Sequence, residues 1–213
     1  YVRPRLKGMS GYLPDGIISH HTGDCQDAAM FAYGFEWLRE PFLVARIFKN
    51  TPFALSSSAP VVPSRWLVYS YSRIVFKGGI DIALSGRKYH AENCWTFWNE
   101  RVIPTAKYLV EDHASALDSD VLATLQTWIN GDTINGPPQG TGLGNTAFFN
   151  SDAMVHRVAD AGTDDDWYIS VRFKTARTLG NEDFESTGKS WHMGSGMLQV
   201  KVFGDEYDLV RAR

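Results

Sequence analysis

Between positions 20 and 34 the chain reads HHTGDCQDAAMFAYG, and between 84 and 90 it reads LSGRKYH. These stretches hold residue types able to bind metal, attack as a thiol or move protons. The metal option is weak. Adjacent His20 and His21 point apart on any regular element, Asp24 and Cys25 follow too closely for a zinc pattern, and neither HExxH nor a paired CxxC occurs. A thiol nucleophile is also weak, because Cys25 lies in no local signature of a cysteine hydrolase and a buried or bridged cysteine is the commoner role. Serine chemistry lacks its GxSxG, and GSGM (194–197) sits ahead of a strand rather than in a strand-to-helix turn. GTGLGN (140–145) does not join a strand to a helix, so it has no phosphate-cradling logic. Acid–base chemistry remains. A tyrosine can act as a base only when its phenol, near 10 in water, is brought down by neighbouring cations. His21, Tyr33 and Arg87 would form such a proton-transfer set if the fold gathers them. Spacing alone is equally satisfied by a core tyrosine on an apolar helix and a surface arginine after glycine.

The elements that must position these residues are helical first. AAMFAYGFEWLRE (28–40) and PFLVARIFKN (41–50) carry broad apolar faces, with Pro41 opening a second helix or kinking the first. SRWLVYSYSRIVFKGG (64–79) reads as a helix preceded by Pro63 and stopped by Gly78-Gly79. FWNERVIPTAKYLVEDH (97–113) is another, interrupted by Pro104. DSDVLATLQTWING (118–131) is the clearest, with Asp118 or Ser119 as N-cap and Gly131 just past its end. The composition then shifts. GDTINGPPQGTGLGN (131–145) predicts a linker, and beyond it the hydrophobic period becomes two. AFFN, AMVHRVA, WYISVRFKTAR and GMLQVKVF predict strands, with AGTDDD (161–166) as a hairpin loop. In the third strand Trp167, Ile169, Val171 and Phe173 share one face, and Tyr168, Ser170, Arg172 and Lys174 the other. The fold class expected is α+β: a helical unit followed by the opening of an antiparallel sheet.

Composition bounds the function. The 213 residues are 44% hydrophobic and 21% charged, ordinary for a folded globular chain. Net charge is −3 and the pI near 6.1, so no global basic field points to nucleic acid. No apolar run approaches the roughly 20 residues of a membrane-spanning helix. Aromatics reach 13%, with seven Trp, a richness shared by sugar-binding proteins and by large cores alike. Cys25 and Cys94 are too few for a disulfide framework. The chain opens on Tyr and both ends bear arginine, so a piece of a longer polypeptide is expected.

DGIISHHT, AYGFEWL, TPFALSSS and LSGRKYH, followed by GNTAFFNSDAMVHR and SVRFKTARTLGNEDFESTGKSWHMGSGM, resemble in this order the central region of polysaccharide lyase family 8. That family comprises hyaluronate, chondroitin and xanthan lyases, with a relative in baculovirus envelopes. The resemblance implies the C-terminal part of an incomplete (α/α) toroid over 1–135 and the first strands of a large antiparallel β-sandwich over 136–213. It implies β-elimination of an acidic, uronate-containing polysaccharide with no cofactor. His21 would help an asparagine neutralise the uronate carboxylate, and Tyr33 would take the C5 proton and return it to the leaving oxygen. Arg87 would stand beside Tyr33, while His20 and Lys88 would bind substrate. Cys25, Gln26 and Asp27 lengthen the His21-to-Tyr33 interval relative to the family, which leaves Met30 or Tyr33 to face the site. The family's asparagine, its sugar-stacking aromatic patch and a late acidic residue are expected on flanking chain, so the remainder of the same polypeptide is an expected partner. An extracellular or virion-envelope location is expected with it. The alternative is a non-catalytic, lyase-derived structural or carbohydrate-binding protein.

Overall fold

The computed structural model describes residues 11–19, 33–85, 98–131, 143–159, 166–175, 178 and 196–202. The linker expected at 131–145 and the loop expected at 161–166 lie almost wholly outside them.

A short hairpin opens the described chain, β1 (Gly11–Tyr12) pairing antiparallel with β2 (Ile18–Ser19). Helix α1 (Tyr33–Phe48) follows. Phe35, Leu38, Phe42 and Ala45 form its buried stripe at helical spacing. Of the two expectations for Pro41, a second helix or a proline within one, the structure shows the latter. Pro41 falls on the exposed side, where water can take over the hydrogen bond it deletes.

Helix α2 (Val61–Tyr69) carries Pro63 in its first turn, where a missing N–H costs nothing. The helix expected over 64–79 ends ten residues early. A 3-10 turn (Tyr71–Ile74) leads into a second hairpin, β3 (Val75–Phe76) against β4 (Gly79–Ile80). Lys77 and Gly78 both have positive φ, 46° and 84°, the geometry of the two-residue turn that suits a twisted hairpin. The glycine pair therefore turns a hairpin rather than stopping a helix. A further 3-10 turn, Ile82–Leu84, is capped by Asp81, whose Oδ1 accepts from the Ala83 amide at 2.8 Å.

The π-helical turn Trp98–Val102 runs into α3 (Ile103–His113), with Pro104 harmless at the start. Helix α4 (Ser119–Asn130) begins and ends where its pattern predicts, with Asp118 at the N-cap and Gly131 closing it. The Asp118 carboxylate makes no cap hydrogen bond. It is held instead by the Arg65 guanidinium of α2, through Nε and, at 3.0 Å, Nη2. Val121, Leu125 and Trp128 of α4 pack inward, Trp128 meeting Trp98 edge to face at 4.9 Å. Arg46 of α1 and Lys49 just past its end reach Glu111 and Asp112 of α3.

The four expected strands form one antiparallel meander: β5 (Gly144–Phe148), β6 (Ala153–Val158), β7 (Trp167–Arg172) and β8 (Met197–Lys201). Its buried face departs from the usual apolar rule by being mixed: Phe148, Ala153 and Val155 enter the core, but a row of polar side chains is buried beside them. Arg157, Tyr168, Ser170, Arg172, Gln199 and Lys201 are buried, while Met154, Leu198 and Val200 stand exposed. Register explains the arrangement. Arg157, Tyr168 and Lys201 lie in one cross-strand row, with Val155, Ser170 and Gln199 in the next. These rows face the β3–β4 hairpin and the 3-10 turn after it, which offer the Phe76 ring, packed on Tyr168 at 5.9 Å, together with backbone carbonyls. Arg157 Nη1 reaches Val75 O at 3.4 Å, Lys201 Nζ reaches Ile80 O at 3.0 Å, and Arg172 donates to Ala83 O. No described helix is long and apolar enough to cross a membrane.

Candidate active site

Of the residues expected to carry chemistry, His20, His21, Arg87 and Lys88 lie outside the described residues, as does Met30. Tyr33 is the first residue of α1, and its side chain is likewise outside them. Their mutual distances are therefore not part of the described geometry. What the structure does describe is the stem of each. Strand β2 ends at Ser19, directly before His20. Ser85 follows the Ile82–Leu84 turn, two residues before Arg87. Ile18, Phe35 and Leu84, each within three positions of an expected site residue, are at most 1% exposed and belong to one continuous hydrophobic cluster. Packing to that standard leaves little play in the backbone that each stem presents.

The first stem rests on a tight turn. Gly16 has φ +87°, which a side chain tolerates poorly, and its carbonyl accepts from Trp66 Nε1 at 2.8 Å. A Cβ at this position would collide with the Ser70 side chain, whose Cβ would be only 2.9 Å away. Asp15 next to it ties the hairpin to the turn between β5 and β6, its Oδ2 accepting from the Asn150 amide at 2.6 Å. Gly16→Ala is expected to destabilise the fold by about 1–3 kcal/mol, the usual cost of a forced left-handed residue. Chemical denaturation checks the loss. A midpoint equal to wild type would show the turn adapting.

Beside this turn, α2 and the hairpin enclose a cleft of about 380 Å³, lined among others by Tyr12, Asp15, Arg65, Trp66 and Tyr69. Its size lies within the range of small-ligand sites. Tyr12 and Trp66 meet edge to face at 5.9 Å. Burial pushes the Tyr12 phenol up to about 12, so it stays protonated at neutral pH and cannot serve there as a base. Tyr69 donates to Asp120, and that hydrogen bond raises its phenol as well. Arg65 is engaged by Asp118. The cleft can therefore bind and stack, and neither of its tyrosines is poised to abstract a proton. The sequence signal for it was only the general richness in aromatic residues.

Asp81 is the described residue with the densest buried polar contacts. Fully buried, it accepts from Tyr168 Oη at 2.6 Å and Gln199 Nε2 at 2.5 Å, besides the Ala83 amide. Burial first, and then the Asp81 charge, hold the Tyr168 phenol well above its ordinary value, so this tyrosine too is a fixed donor. Sealed from solvent, the pair does no chemistry on a substrate. No three His, Cys, Asp or Glu side chains gather as a metal site among the described residues.

Comparison with known proteins agrees with this architecture. Residues 143–212 match the family model of the polysaccharide lyase family 8 super-sandwich domain. A chondroitinase AC lyase, solved with oligosaccharides bound, superposes with a TM-score of 0.74 at 17% identity, over 98% of this chain and 29% of its own. A tyrosine-to-alanine mutant of the Streptomyces coelicolor A3 chondroitin AC lyase superposes at 0.64 with 14% identity, over 96% of this chain and 31% of its own. The chain thus spans under a third of the length of either enzyme. No curated protein matches it in sequence. Residues 143–212 thus resemble the super-sandwich domain of polysaccharide lyase family 8, and nearly the whole chain shares the mixed helix-and-sheet fold of the two chondroitin AC lyases.

Proposed function

We propose that this chain supplies part of the active site of a lyase that cleaves a uronate-containing, glycosaminoglycan-type polysaccharide by β-elimination, completed by the rest of its polypeptide. The observation that carries the reading is the fold shared with a chondroitinase AC lyase over 98% of the chain. The chemistry follows from the acidity problem. The proton at C5 of a uronate is too weakly acidic to remove while the adjacent carboxylate is charged. His21, with an amide from flanking chain, neutralises that carboxylate. Tyr33, its phenol lowered by His21 and Arg87, takes the C5 proton. The C4–O bond then opens, leaving a C4–C5 double bond, and the proton passes from Tyr33 to the leaving oxygen. His20 and Lys88 hold the acidic chain. Secretion, or display on a virion envelope, goes with such a substrate.

The packing of the three stems into one hydrophobic cluster supports the reading, since proton transfer tolerates little displacement: ~1 Å can cost roughly two orders of magnitude. The test is to incubate the intact protein with chondroitin and, in parallel, hyaluronan, and to follow ultraviolet absorbance of the unsaturated uronate. A steady rise on at least one polymer is expected. A folded protein that binds either polymer but produces no rise would instead be a lyase-derived carbohydrate-binding scaffold.

A further inference from the structure

The inward polar face of the sheet has a target: the backbone from Val75 to Ser85. Hydrophobic packing holds a surface in place but is nearly blind to small slides along it. Hydrogen bonds between buried groups are directional, and misplacing one leaves a desolvated polar atom unpaired. This segment is held in the second way. Its carbonyls at Val75, Ile80 and Ala83 each accept from a cation on the sheet, Arg157, Lys201 and Arg172 respectively. At the centre Asp81 accepts from Tyr168 and Gln199 of adjacent strands, while its own amide donates to Ile74 O at 2.8 Å. The turn that Asp81 caps ends at Ser85, which is fully buried and donates through Oγ to Ile82 O at 2.8 Å. Gly86, Arg87 and Lys88 come next in the chain.

We propose that Asp81 is a positioning residue: through Gln199 and Tyr168 the sheet fixes the register of the 80–85 segment, and with it the place from which Arg87 and Lys88 act. The role rests on the lyase reading for its catalytic consequence, but the positioning itself can be read without activity. It gives the buried polar groups of the sheet a purpose. An apolar inner face would pack as tightly, yet it would not specify where along the sheet the arginine-bearing stem sits. It also makes the sheet a participant in the reaction rather than an appendage to the helices.

The test uses the intact protein, Asp81→Asn, and Gln199→Leu, which removes the donor across the 2.5 Å contact and keeps its bulk. Trypsin under native conditions reports position, because Arg87 and Lys88 are themselves cleavage sites. Each variant is expected to speed cleavage after Arg87 and Lys88, Asp81→Asn at least tenfold, with cleavage after Arg46 and Lys107 unchanged. On substrate, kcat/KM is expected to fall by roughly 10²-fold in Asp81→Asn, as for displaced catalytic and binding groups. Unchanged cleavage at Arg87 and Lys88, or equal acceleration at every site, overturns the proposal, the second outcome marking general destabilisation. An effect in Asp81→Asn with none in Gln199→Leu overturns the sheet's part in it. Selective release in both variants of a protein whose wild type makes no unsaturated product would sink the lyase reading and leave the positioning role standing.

Discussion

Tyr33→Phe is expected to lower kcat on a uronate polysaccharide by roughly 10²- to 10⁴-fold, the usual contribution of a positioned general base. The substitution deletes one oxygen and keeps the ring, so α1, which begins at this residue, loses no apolar contact. KM is expected to stay within a few-fold, because the hydroxyl acts on the proton in transit rather than on the bound chain. Arg87→Ala supplies the complementary signature. Removing a cation from beside a phenol raises its pKa, so the alkaline-going rise in activity should move to higher pH, and part of the lost rate should return there. The measurement is initial rate by absorbance across pH for wild type and both variants. Tyr33→Phe with wild-type kcat would assign the base elsewhere, and the lengthened interval after His21 makes the neighbouring turn the place to look. An Arg87→Ala variant that is slow at every pH, with no displaced profile, would give the arginine a substrate-holding role instead.

Trp128→Ala is expected to produce the largest loss of stability, about 3–5 kcal/mol, typical of a large aromatic cut from a core. Trp128 is 1% exposed on α4 and meets Trp98, also 1% exposed, at the π-helical turn that launches α3. The contact therefore ties α4 to the start of α3 where the backbone departs from regular α-helix. Removing the indole leaves a cavity between elements that cannot close without moving that turn. Domains have total stabilities of about 5–15 kcal/mol, so the variant should lose a large share of its margin. Urea titration followed by circular dichroism measures the loss, and Trp128→Phe should recover a substantial share of it. A loss below about 1 kcal/mol in Trp128→Ala would mean the cavity collapses and the helices repack.

Much of this architecture was legible from local pattern. Helix α4 was readable to its ends, because Val121, Leu125 and Trp128 repeat at helical spacing between an aspartate and a glycine. The four strands were readable because alternation survives whichever face is buried. The stretch 64–79 was misread for a specific reason. Its β-branched run and glycine pair suit a helix with a stop as well as a hairpin, and only successive positive φ at Lys77 and Gly78 separates the two. Pro41 could open a second helix or sit within one, and its exposure on α1, a tertiary fact, decides between the two.

The proposed chemistry came from the order of His21, Tyr33 and Arg87 and the motifs around them. Order and spacing along a chain are local properties, and so are period, capping and turn composition. By itself, then, the sequence determined the α+β class, the helix-then-sheet succession and the family resemblance. Tertiary structure alone decided which sheet face turns inward. Alternation cannot say what lies opposite, and here the opposite surface includes the carbonyls of Val75, Ile80 and Ala83, which hydrogen-bonding side chains satisfy. Asp81 was invisible for the same reason: its partners Tyr168 and Gln199 lie 87 and 118 residues away, and nothing local announces them.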